Sequence, residues 1–382
     1  MFRVKMTFVL LTAVCSLTLM GCPATTDVKV VDNIPQLTIQ QVGRDIVNFF
    51  DNLGDKAEIQ VGDIIASAKD GGFLRKVIGV NEANGIIQTV TQAVSLAEAI
   101  KEGVLTGKIT WTNQDLVDNG AVLSEGGTLA IDLSGLTIFS QDGVTLRMDN
   151  GSMLTYAPDI DLDANISDHK MTSFSLSCAG EFTTDLRFNL SAAQAASVNW
   201  ETPIIPAITK PFLFYIGPVP VAGVASLSFP VGVSGSVGAG ASAQSGFAGS
   251  SYVTVGASMV DGKWSNNSSF GEFSPVAHPL VITLSSSGSV TVYVKVQPSI
   301  TLYDASTLSG YAMPYVTGAA QFIPSPFTFD LYAGINGGIN YQLSIFDFSL
   351  INKSWFFPGP QWQLYNYSYP YDVPTTFTFN LP

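Results

Sequence analysis

Ile138–Tyr156 reads IFSQDGVTLRMDNGSMLTY, and two dipeptides inside it set the architecture. Asp142-Gly143 and Asn150-Gly151 each place side by side two residues that tolerate positive φ, as the centre of a type I′ hairpin turn demands. The flanks alternate, with Ile138 and Val144, Leu146 and Met148, then Met153 and Tyr156 apolar and with polar groups between them. A period of two sends alternate side chains into a core. Residues 121–157 are therefore expected to form a β-meander.

The same signals continue downstream. Asp261-Gly262 repeats the turn pair. Leu280–Leu284 and Val290–Val296, joined across Ser285–Ser289, predict a second hairpin; Phe327–Ile335 and Ile339–Leu350, joined at Asn336–Gly338, predict a third. Thr202–Pro220 (TPIIPAITKPFLFYIGPVP) carries prolines at 203, 206, 211, 218 and 220, which donate no ladder bonds, so this stretch is an edge or a crossover. Val231–Ser251, rich in Gly, Ser and Ala, keeps Val231, Val233 and Val237 on one parity and reads as a strand. Strands this numerous, without helical periodicity between them, predict for residues 106–382 a large antiparallel β-sandwich or barrel-like domain.

Residues 35–105 follow another rhythm. Leu37, Val42, Ile46, Phe49, Phe50 and Leu53 recur at three and four, which predicts an amphipathic helix. Ile59, Ile64, Ile65 and Ala68 suggest a second helix, closed at Gly71-Gly72. Ile86, Ile87, Val90, Val94, Ala97 and Ile100 mark a last one. The expected fold class is mainly β, with a small α-helical segment ahead of the β-domain.

The first 21 residues carry Arg3 and Lys5, then an apolar run from Met6 to Met20 (MTFVLLTAVCSLTLM), too short to span a bilayer. Leu19-Met20-Gly21-Cys22 resembles the lipobox of bacterial lipoproteins. That resemblance implies cleavage after Gly21, acyl chains on Cys22 as the tie to the membrane, and residues 22–34 as a tether. Pro23 stands where Asp would retain an enteric lipoprotein at the inner membrane, so the resemblance implies the outer membrane. A second resemblance spans roughly residues 150–350: YAPDIDLDANI, then IGPVPV at 216–221 and SITLY at 299–303 resemble an uncharacterised secreted all-β family of no known activity. It implies an extracytoplasmic β-fold and nothing about chemistry.

Composition narrows the partners. The 382 residues hold 17 Lys and Arg against 30 Asp and Glu. Removing residues 1–21, with two cations and no acids, leaves 15 against 30, a net charge of −15. Nucleic acid is excluded as a partner, because a polyanion needs clustered cations to displace its counterions. Charged residues make up 12% of the chain, about half the usual ~25%. Cys15 leaves with the leader and Cys22 is acylated, so Cys178 stands alone, and its flanks SFSLSCA hold no basic group that would activate a thiol.

Candidate chemistry is sparse. Asp159, Asp161 and Asp163 share one face of a strand, with Ile160 and Leu162 on the other. Such oxygens suit Ca²⁺, the one cofactor the chain suggests, although Ala164 and Lys170 exclude an EF-hand loop. Only His169 and His278 supply imidazole, and no zinc motif contains them. Glu181, Glu201 and Glu272 are candidate glycosidase carboxylates that nothing in the sequence pairs. Tyr365, Tyr367, Tyr369 and Tyr371 share one parity and form a candidate row for stacking on sugars or on an envelope protein, or else an aromatic core face or a cover over an exposed sheet edge. The expectation is a lipid-anchored envelope protein with a non-enzymatic binding or structural β-domain, and no catalytic residue is assigned. The alternatives are an envelope polysaccharide hydrolase and a carrier of an apolar ligand.

Overall fold

The computed structural model describes residues 25–26, 28–51, 59–69, 71–117, 122–123, 129–156, 158–284, 286–303, 306–321, 327–343, 351–369 and 377–381. Among these residues the chain is mainly β and falls into three sheets of 15, nine and six strands.

The large sheet is built on its two longest strands. Lys170–Ala192 pairs antiparallel with Ala241–Val260, in register from Ser173 opposite Val260 to Ala192 opposite Ala241. Asp159–Ser167 returns along the other edge of Lys170–Ala192, through a turn in which Asp168 and His169 both hold positive φ (50° and 57°). Ile100–Thr110 pairs beyond it, then Thr25–Thr26. The nine-stranded sheet runs from Ala196–Pro203 at one edge, through Pro230–Val237, Gly288–Val294 and Ser306–Gln321, towards Ile208–Ile216 at the other. Phe327–Leu343 and Ile351–Tyr369 extend the far side of Ser306–Gln321. Pro203 and Pro211 lie on strands paired along one side only, the place in a sheet where a missing N–H is tolerated.

These two sheets close on one apolar core. Phe182, Leu186 and Phe247 enter it from the large sheet, and Val231, Val233, Val292, Phe329 and Leu331 from the other. Each is at most 2% exposed, pointing to the inner face of its strand. Phe273, in the irregular stretch after Ser269–Phe270, lies edge-on to Phe247 (6.0 Å) and to Trp362 (5.0 Å), bridging the sheets with aromatic rings. At one end Lys210 Nζ donates to the Thr110 carbonyl (2.9 Å) and to Asp115 (2.7 Å), clasping the edge strand to the short helix Asn113–Val117.

The helices predicted for residues 35–105 are strands. Val28–Val30, Ile64–Ser67, Phe73–Ala83, Ile86–Ala93, Ile46–Asp51 and Leu37–Val42 form the six-stranded sheet in that order. Its core is separate, with Val47, Phe49, Ile65, Phe73 and Val77 buried. The reason is visible in Ile46–Asp51: Val47 and Phe49 are fully buried, whereas Ile46 and Phe50 are each 40% exposed. Apolar residues on both faces of a strand imitate helical spacing when they are counted together, and Leu53 lies outside the described residues. Asn84 (φ 55°) and Gly85 (φ 74°) form the I′-type turn that sets Ala83 opposite Ile86. Among the described residues, α-helix is confined to Leu96–Ala99, capped by Ser95 Oγ accepting from the Glu98 N–H, and to Asn113–Val117.

The expected tether is also structured, since Thr25–Thr26 and Val28–Val30 are strands and Val31–Asn33 is a 3₁₀ turn. Within the expected meander Thr137–Gln141 pairs with Val144–Met148 as a hairpin, and Leu129–Asp132 pairs antiparallel with its predecessor Val122–Leu123 and with Met153–Tyr156. Val144–Met148 and Met153–Tyr156 instead lie end to end along Lys170–Ala192, and Asn150-Gly151 carries the chain past that edge without reversing it. Leu280–Leu284 and Gly288–Val294 belong to different sheets, so they are not a hairpin. Phe327–Leu343 runs unbroken through Asn336–Gly338. Val231–Ser251 divides at Gly238–Gly240 between the two sheets.

Candidate functional site

The outer face of the nine-stranded sheet carries a platform of aromatic rings. Val292 and Val294 point inward, so Tyr293 points out, directly opposite Tyr315 on the next strand. Each tyrosine also faces a glycine across its other ladder: Tyr293 opposite Gly232, Tyr315 opposite Gly334, and Tyr311 opposite Gly338. A Cβ built on those glycines would stand 2.3, 2.5 and 2.4 Å from the respective rings. Each ring therefore lies across bare backbone of its neighbour, which a strand permits only where the facing residue has no side chain. Phe356, 62% exposed, continues the row beyond Gly338.

Polar groups fringe the rings. The Tyr293 hydroxyl donates to Glu201 Oε2 (2.9 Å), and Lys295 Nζ is paired with the same carboxylate. Lys295 Nζ also lies 5.3 Å from the Tyr293 ring centroid and 5.5 Å from that of Tyr311. Burial pushes the Tyr293 phenol well above its ordinary value, and the Glu201 carboxylate adds to the shift. Burial raises Tyr311 and Tyr315 in the same direction. The rings thus remain neutral hydrogen-bonding phenols across the physiological range. Tyr315 itself is buried, at 9% exposure, so the ring surface offered is that of the half-buried Tyr293 and Tyr311 and the exposed Phe356. Aromatic surface flanked by a carboxylate and an ammonium suits stacking on sugar rings with hydrogen bonds to hydroxyls at the edge.

The tyrosines singled out in the sequence lie elsewhere. Tyr365, Tyr367 and Tyr369 stand opposite Leu331, Phe329 and Phe327 on the inward side, half-buried against the core. Tyr371 lies outside the described residues, as does Cys22.

Asp159, Asp161 and Asp163 do share one face, with Ile160 and Leu162 each 1% exposed on the other. Asp159 is taken by Lys108 Nζ (2.6 Å) and Thr110 Oγ1 (2.7 Å), and the hydrogen bond from Lys108 holds its carboxyl below the ordinary range. Among the described residues, no group of three His, Cys, Asp or Glu side chains is placed to hold a metal ion. Cys178 is buried between the sheets, and burial pushes its thiol up to about 12. His169 sits in a turn, its Nδ1 3.2 Å from the Ala97 carbonyl oxygen. Glu201 belongs to the platform, whereas Glu181 and Glu272 are exposed on and beside the large sheet.

Two kinds of hollow accompany these surfaces. Apolar gaps of about 60 and 20 Å³ lie between the sheets, far below the ~300–1,000 Å³ of a typical ligand pocket. An open cleft of about 600 Å³ lies on the large sheet, lined by Arg147, Asp149, Asn150, Arg187, Gln244 and His278 among others. Asp185 holds two of its basic groups: Arg187 Nε and Nη2 donate to the two carboxylate oxygens (3.1 and 3.0 Å), and His278 Nε2 lies 2.6 Å from Oδ1. The sequence held a signal for the platform, namely glycines inside strand patterns, but its partners are fixed by pairing between distant strands. No protein-family model, curated protein or solved structure matches this chain.

Proposed function

We propose that this chain is a lipid-anchored envelope protein whose β-sandwich is a non-enzymatic glycan-binding module, with the Tyr293–Tyr311–Tyr315 face as its binding surface. The observation that carries this reading is the seating of those three rings on Gly232, Gly338 and Gly334, beside Glu201 and Lys295. The lipobox-like Leu19–Cys22 supports the anchor, and Pro23 in place of Asp supports the outer-membrane address. The interior gaps are too small for an acyl chain, and the three candidate carboxylates are spread over both sheets, so neither observation favours a carrier or a hydrolase.

The test is a glycan array on the full chain in detergent, followed by calorimetry on any hit with Tyr311→Ala and Phe356→Ala. Both variants should weaken binding roughly tenfold each, on the scale of about 1–1.5 kcal/mol for an aromatic contact. Binding that survives both substitutions refutes the platform. Labelling with a palmitate analogue tests the anchor separately: wild type should be labelled and Cys22→Ala should not.

A further inference from the structure

We infer that the cleft on the large sheet is a second binding site, one for a sugar acid, with the carboxylate lying between the Arg147 and Arg187 guanidiniums. It goes beyond the tyrosine face, since it is on the other sheet and uses other chemistry. Arg147 pairs with Asn189, and the Asp149 N–H donates to the Arg187 carbonyl (2.8 Å). Arg147 and Arg187 are thus diagonal neighbours on one face, about 7–8 Å apart at Cα. Two adjacent guanidiniums repel each other, and a chain with 17 cations to 30 acids has no general bias towards such a pair.

Two glycine turns lie against the guanidiniums. A Cβ on Gly135 would be in ordinary contact with Arg147 Nη2 (3.4 Å), and one on Gly151 with Arg187 Nη1 (3.4 Å). Both glycines hold positive φ (72° and 84°), a conformation costly for any side chain. Asp185 engages Nε and Nη2 of Arg187, leaving Nη1 on the cleft side. Arg147 uses Nε for the Gly135 carbonyl (3.2 Å), and among the described residues no carboxylate forms an ion pair with it. Paired guanidinium forks are the side chains best shaped for a carboxylate.

The remaining lining narrows the ligand. Asp149, whose Oδ2 accepts from Gln244 Nε2 (2.9 Å), stands beside Asn150 and Gln244. With Asp185 it balances the two arginines, so the cleft is poorly matched to a multiply charged anion. A carboxylate, an amide pair and two guanidiniums suit a ligand with one negative charge and several hydroxyls. A volume near 600 Å³ admits one or two sugar rings.

The test is calorimetry on the full chain in detergent with D-glucuronate, D-glucose and sulfate as probes. Glucuronate should bind measurably, and glucose and sulfate at least tenfold more weakly. Arg147→Gln, at an exposed residue outside any ion pair, should weaken glucuronate roughly ten- to hundredfold, and Arg147→Lys should restore part of that loss. Absence of glucuronate binding, equal binding of glucose or of sulfate, or indifference to Arg147→Gln overturns the assignment. Glucuronate binding that is lost in Tyr311→Ala yet kept in Arg147→Gln would belong to the tyrosine face and overturns the assignment, so failure of one surface is distinguishable from failure of the other.

Discussion

Phe273 lies outside any strand, yet it should be among the costliest side chains to truncate. It is 3% exposed and stands between Phe247 of the large sheet and Trp362 of the other, at 6.0 and 5.0 Å. Phe→Ala at a buried site costs about 3–5 kcal/mol, the spread reflecting how far the surroundings collapse. Here collapse is poor, because the residue beneath the ring is Gly249, which has no side chain to move into the void. The upper half of that range is expected, read as a drop in the urea midpoint at unchanged slope. Phe273→Leu keeps most of the apolar volume and should cost roughly 1–1.5 kcal/mol. A double-mutant cycle with Trp362→Ala should return a coupling of about 0.5–1.5 kcal/mol for the edge-to-face contact. A loss under ~1 kcal/mol for Phe273→Ala, or strict additivity with Trp362→Ala, would refute the idea that this irregular segment wedges the sheets together.

Two further outcomes rest on titrating groups. In a chain lacking residues 1–22, Cys178 is the sole thiol; burial pushes it up to about 12, so an aromatic disulfide reagent at pH 8 should react only as fast as the sheets open. Prompt reaction without denaturant contradicts that placement. Asp115 is held down at about 2, first by Lys210 Nζ and then by the Thr112 N–H and hydroxyl. A depressed carboxyl stabilises the fold above its ordinary range near ~4 and loses that contribution as pH falls towards its folded value. Lys210→Met should therefore flatten the decline in thermal midpoint between pH 4 and 2; an unchanged acid limb refutes the clasp.

The parts of the fold legible in sequence were those written locally. Asp142-Gly143 marked a true hairpin, and alternation across Asp159–Asp163 correctly sent Ile160 and Leu162 inward. Asn84-Gly85 carried the same turn signal inside a segment whose apolar outer face, Ile46, Phe50, Ile86 and Val90, masked the period of two. What adjacency could not carry was the choice of sheet: Leu280–Leu284 and Gly288–Val294 are sequence neighbours that pair with different partners. Asn336–Gly338 looked like a turn because glycines usually relax the backbone there. In the folded chain Gly338 makes room for Tyr311, and Gly337 for Phe357 and Phe270. The tyrosine face was illegible for the same reason, since its facing pairs, from Tyr315 and Gly334 to Gly232 and Tyr293, lie on separate strands that meet only in the folded register.

The first strands have a mechanical consequence. Thr25–Thr26 is stitched to the large sheet and Val28–Val30 to the small one, with a single residue between them. Force applied at the N-terminus is met first by the two-residue ladder beside Ile100, and by the ladder beside Ile64 only once that one has opened. The short outer attachment is therefore the first to yield, and the small sheet keeps its own strand until it has done so.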